Sequence, residues 1–170
     1  MTLPSDVSPA QLLYPDLGNE IASSRRMLER VPDGNDDWKP HDKSMSLSKL
    51  ATHVAELLAF GTRMIMTSDM DMAVVPWDSP AIANTAERLA LFDANAAELT
   101  KTVEAATWET LSDEWVLRAG EQVYLKDRKS TLVRTMCLSH IAHHRAQLGV
   151  YLRKLDVAVP GMYGPSADEM

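Results

Sequence analysis

Cysteine is almost missing from this chain. Cys137 stands alone, so no disulfide can form within the molecule, and a cysteine-rich zinc site is excluded. Aromatic residues make up only 6% and glycines number 7, against many Ala, Leu, Met and Glu, a balance that favours helix over sheet. Long uncharged apolar runs are lacking as well: no stretch approaches the roughly 18 residues that would span a bilayer. The opening MTLPSDVSPAQLL has neither the basic start nor the apolar centre of a secretory signal, so a cytoplasmic protein without a membrane partner is expected. Basic charge is also in short supply. With 17 Lys and Arg against 24 Asp and Glu, the net charge of −7 argues against nucleic-acid binding, which needs clustered cations for phosphate contacts.

What is present is the profile of a soluble globular protein, 45% hydrophobic and 24% charged. A length of 170 residues suits one domain, residues 1–170, and is too short for two of ordinary size.

Four helical patterns stand out. The first runs from about Pro9 to Val31, with Ser8 as N-cap and Pro9 at the first helical position, although Pro15 either kinks it or marks its true start. The sequence Pro32-Asp33-Gly34-Asn35 ends it. The second, from Leu47 to about Ser68 and capped by Ser46, carries a wide apolar face that includes His53. After a Pro76-Trp77-Asp78 turn, Ser79 is the expected cap of a third helix, with Pro80 at its first position, that runs to about Ala105. Residues 107–129 lose the helical period. Trp115, Leu117, Val123 and Leu125 alternate around Ala119-Gly120, which suggests a short hairpin or an extended crossover. Ser130 then caps a fourth helix, from Thr131 to Leu155. Four amphipathic helices with one long crossover before the last make an all-α four-helix bundle the expected fold.

The fourth helix carries the chemistry. Its inward stripe reads Val133, Cys137, His140, His144, Leu148, Tyr151, Leu155, so two imidazoles take places that packing alone would give to leucine. Residues four apart project from one face on successive turns, and both rings can reach one ion. A third imidazole, His53, lies on the buried stripe of the second helix. Neutral imidazole binds Zn, Ni, Cu or Fe, and three protein nitrogens leave positions open for water or substrate. The plainer reading is that each histidine is a hydrogen-bonded core residue. His143 could also replace His144 as partner of His140, but the 140–144–148 line follows the apolar stripe while His143 sits at its edge.

The segments KSMSLSKLATHVAEL and LSHIAHHRAQLGVYLRK, together with the DDWKP connector and the tail VPGMYGPSADE, resemble the DinB-like superfamily of small helical metalloproteins. The resemblance covers nearly the whole chain in order. Its core is a histidine on the second helix followed, about ninety residues on, by His-x-x-x-His and then Arg-x-Gln. It implies metal ligands at His53, His140 and His144, and a structural or supporting role for Arg145 and Gln147. It also implies an up-down-down-up bundle, often a homodimer. The ion would be a divalent transition metal, zinc or nickel, with iron or manganese as further candidates. Members of the wider superfamily include transferases and isomerases that use bacillithiol, mycothiol or glutathione. The function implied is therefore metal-dependent transfer of a low-molecular-weight thiol to an electrophilic small molecule. The alternatives are a metal-dependent hydrolase of a small amide or ester, and a non-catalytic, stress-associated metal-binding protein.

Other residues invite roles. Glu56, one turn after His53, could orient an imidazole or serve as a catalytic group, or be a solvated helix residue. His143 could shuttle protons, or simply pack. Cys137 reads as a buried hydrophobe before a nucleophile. His41 reads as exposed. Trp38 and Trp77 are core anchors or pocket rim, and Tyr163 either folds over a pocket mouth or belongs to a tail ordered by packing. Met64, Met66, Met70 and Met72 read as core and connector filling, because their spacing does not make a copper-binding box.

Overall fold

A computed structural model describes residues 7–75 and 79–170 of the chain. Ser8 takes an extended conformation and its hydroxyl accepts from the Gln11 amide, while the Gln11 side chain reaches back to the Ser8 N–H, so a short helix α1 forms at Pro9–Leu13. Pro15 does break the first pattern. The chain restarts as α2, Leu17–Leu28, and the Tyr14 hydroxyl donates to the Ser130 carbonyl, which pins the break to the start of the last helical stretch.

Ser46, likewise extended, caps α3, Leu47–Met66, by accepting from the Lys49 amide. This helix is the centre of the molecule: Leu50, Ala51, Val54, Leu57, Leu58 and Met64 are all buried on it. It packs against the next long helix, α4 (Thr85–Ala105), and against the last, α7 (His140–Lys154); α2 packs against the same two. Gly61 of α3 permits a close approach to Cys137 and to Leu99 of α4. A Cβ there would lie 2.8 Å from Cys137 Sγ and 3.1 Å from Leu99 Cδ1.

The third helix starts later than expected. Its cap is Asn84, whose side chain accepts from the Glu87 amide, while the Glu87 carboxylate takes the Ala83 N–H. The Ser79 hydroxyl is used elsewhere, donating to Glu56 at 2.8 Å, so residues 79–84 stay outside the helix. The expected Pro76-Trp77-Asp78 turn lies outside the described residues, and with it Trp77.

The expectation of an all-α chain needs correction. The protein is mostly helical, but it carries a three-stranded sheet in the order β1 (Asp69–Asp71), β2 (Glu114–Ala119), β3 (Gln122–Arg128). β2 and β3 form the hairpin that the alternating residues suggested, turning through Gly120-Glu121 with Gly120 at φ 58. β1 was not visible in the sequence, since three residues cannot show a period. It pairs parallel to β2, and Arg118 holds it by bonding Asp69 at 2.9 Å and also Asp71. A short helix α5, Trp108–Ser112, precedes the hairpin. Trp115 of β2 is fully buried and donates its indole N–H to Thr67 Oγ1 at 2.9 Å. The sheet is thereby locked onto the end of α3.

The last helical stretch begins at Lys129, with no side-chain cap from Ser130. It runs as α6 (Lys129–Leu132), then a π-helical stretch over Val133–Ser139, then α7. Lys129 is buried and donates to the Ile65 carbonyl at 2.9 Å, placing a cation on the C-terminal carbonyls of α3. Among the described residues no helix is long and apolar enough to cross a membrane.

Candidate metal centre

The three histidines named from the sequence come together between α3 and α7. One ring nitrogen from each lies within 4.8 Å of the other two, and among the described residues they are the one such group with metal-ligand chemistry. His53 meets the rings of His140 and His144 edge-on, at centroid distances of 5.3 and 4.7 Å. His144 is buried; the other two are half-buried.

Hydrogen bonding sets the direction in which each nitrogen points. The Gln147 amide oxygen lies 2.8 Å from His144 Nδ1. An amide oxygen only accepts, so Nδ1 carries the proton and Nε2 is left with a bare lone pair. That lone pair faces His140 Nε2 at 2.8 Å. Without an ion, one proton must be shared between them, which leaves His140 Nδ1 buried and with no well-formed hydrogen bond. An ion replacing the shared proton would let His140 hold its own proton on Nδ1, towards the Met136 carbonyl one turn back, the group that favours protonation of this ring.

All three rings are pushed towards the neutral form that a ligand needs. Burial, then the neighbouring His144 and His140, then Lys49, pull His53 from the ordinary 6.5 to about 4. Burial also lowers His140 and His144, against the opposing Met136 carbonyl and Gln147 amide respectively. The donor set, its neutrality and the orphaned nitrogen fit a divalent transition metal, which His53, His140 and His144 could hold.

His53 and His140 also border a cavity of about 310 Å³. Its walls are mostly apolar, contributed by Leu57 and Phe60 of α3, Met70 of β1, Met72 beyond it, and Leu117 of β2. The sheet that the sequence did not reveal in full therefore builds one side of the site. Met70 and Met72, expected as filling, stand on its wall. Lys49 also faces it and escaped notice in the sequence, although its place four residues before His53 on one helix face was the available signal.

The remaining candidates fall elsewhere. Glu56 is buried, and its carboxylate accepts from Ser79. His143 is exposed, with its ring 4.8 Å from that of His144. Cys137 is fully buried against Gly61, and burial pushes its thiol up to about 12, which makes it an inert core residue. Trp38 packs edge-on against Tyr151 at 5.6 Å, and His41 is exposed. Arg145 is buried and structural: it bonds Glu20 at 2.9 Å, the Ser24 hydroxyl, and the hydroxyl of Tyr163. Tyr163 in turn donates to Glu20, so it ties the tail to α2 and α7 and does not border the cavity.

A mostly helical protein with a small sheet and a three-histidine cluster at a helix junction is the class that these features define. A sequence profile of the DinB family matches residues 12–170, and the chain belongs to that family. Solved structures agree on the fold. A DinB-like protein from Bacillus subtilis is 17% identical, with 91% of this chain and 99% of that one covered at a TM-score of 0.69. A DinB-like protein from Bacillus cereus is also 17% identical, covering 89% and 95% at a TM-score of 0.64. No curated protein matches the sequence.

Proposed function

We propose that the chain binds one divalent transition metal through His53, His140 and His144 and uses it to transfer a low-molecular-weight thiol to an electrophilic small molecule. The observation that carries this reading is the cavity. Two of the three imidazoles border an apolar space large enough for a small organic molecule, which favours an open coordination side over a closed structural site. When bound, the ion supplies the positive charge that favours the thiolate form of a thiol at neutral pH. Gln147 fixes the His144 ring, His53 ties α3 to α7 at the reacting centre, and the Leu57, Phe60 and Leu117 side chains keep water from the electrophile. In the transfer, the thiolate sulfur forms a bond to carbon, the leaving group departs with its electron pair, and the thiol proton passes to solvent.

Hydrolysis is the less favoured reading, because Glu56 is engaged by Ser79 and His143 stands exposed beside His144. The contacts of α2 and α3 with the same two helices, α4 and α7, are those expected of a four-helix bundle, and the up-down-down-up course rests on the resemblance. Metal analysis of the purified protein tests the first step. About one equivalent is expected in wild type and in His143→Ala, and little in His53→Ala, His140→Ala or His144→Ala. For the second step, conjugation of chlorodinitrobenzene to glutathione or bacillithiol is compared between wild type and His144→Ala; equal rates would remove metal-assisted transfer.

A further inference from the structure

We propose that the cavity beside the histidine cluster takes an amphiphilic carboxylate: a molecule with an apolar body about the size of two fused aromatic rings and one carboxylate set against the Lys49 ammonium. The proposal deepens the reading of this site and rests on the cavity being the place of the small-molecule substrate.

Lys49, His53, Leu57 and Phe60 lie on successive turns of one face of α3, and all four border the cavity. At about 1.5 Å rise per residue, Lys49 stands roughly 6 Å from His53 along the axis, and Leu57 roughly 6 Å beyond it. A molecule lying along this face meets a cation at one end, the histidine cluster in the middle and an apolar wall at the other. Met70 and Leu117 close that wall from the sheet. The space of about 310 Å³ is about twice the 150 Å³ that accommodates a benzene ring.

Charge selects the head group. Ser79, the other polar residue on the wall besides the histidines, already donates its hydroxyl to Glu56. Lys49 is exposed, makes no ion pair among the described residues, and is the one Lys or Arg side chain among them that borders this cavity. In a chain of net charge −7, an ammonium without an acidic partner at the edge of an apolar space is matched by a carboxylate on the ligand.

The test is calorimetric titration of the full chain, as purified and after chelation, with 2-naphthoate, 2-naphthamide and 2-naphthylmethylammonium. Naphthoate is expected to bind about fivefold tighter than the amide, near the upper end for an exposed ion pair, with the ammonium weakest. Lys49→Gln should abolish that preference and leave amide binding unchanged. Lys49→Glu should reverse it towards the ammonium. Leu117→Trp should weaken all three probes by filling the cavity. Equal binding of naphthoate and amide by wild type, or no saturable binding of any probe, overturns the proposal, as does a preference that survives in Lys49→Gln. A carboxylate preference that survives Lys49→Gln but disappears on chelation assigns the anion to the ion instead. Metal content of the same samples is read separately, so failure of the metal reading is distinguishable from failure of this one.

Discussion

At His144 the two ring nitrogens have separate tasks. Nδ1 is fixed by the Gln147 amide oxygen at 2.8 Å, and Nε2 turns its lone pair to His140. Gln147→Leu should therefore leave the fold intact and weaken metal affinity by about 10–100-fold, measured by competition with a chelating dye, with Gln147→Glu largely retaining it. Protons compete at the same atoms. His53 has its pKa lowered from 6.5 to about 4 in the folded protein, so below pH 6.5 the unfolded chain binds the extra proton first. The stability that the neutral ring contributes is fully present above 6.5 and is lost as pH falls towards 4. Thermal unfolding of metal-free protein should shift to lower temperature across that window, and His53→Gln should flatten part of the shift.

At the scale of elements, the junction of α3 with the last helical stretch decides whether the histidines meet. Gly61 lies where α3 passes the π-helical stretch, with Cys137 Sγ in the way of any Cβ. Gly61→Ala should destabilise by about 1–3 kcal/mol in urea unfolding, because neither Cys137 nor Leu99 has room to move. Combining it with Cys137→Ala should recover part of that loss, a coupling that separate effects would not give. The π-helical stretch itself has no marker in the sequence. Val133 and Cys137 read as ordinary α-helical stripe positions, and both are indeed buried. The late start of α4 has a clearer cause. Ser79-Pro80 and Asn84-Thr85 are both acceptable caps by composition, and Asn84 wins because Glu87 completes its hydrogen bonds while Ser79 is drawn to Glu56.

Across the whole molecule, one buried ion pair links three distant segments. Arg145 of α7 and Glu20 of α2 are both nearly inaccessible to solvent, and the Tyr163 hydroxyl from the tail bonds both. Glu20→Ala leaves a buried guanidinium without its counter-charge and should cost about 3–5 kcal/mol in chemical denaturation. It should also free the tail to early proteolysis, since Tyr163 loses its acceptor.

The sequence by itself determined the helical stripes, the Ser8 and Ser46 caps, the His140–His144 pair and the family, because these depend on spacing along the chain. The 3.6-residue period and a capping hydroxyl act within a few residues, so they are legible wherever a helix is long enough. Only the tertiary structure decided that His53 reaches that pair, since nothing local fixes the approach of two helices so far apart in the chain. It also decided that three residues after α3 become a strand. Asp69–Asp71 has no pattern of its own and pairs because Arg118 and the buried Trp115 hold the hairpin against the end of α3. The histidine cluster that the sequence pointed to thus acquires one wall of its cavity from an element that the sequence did not reveal.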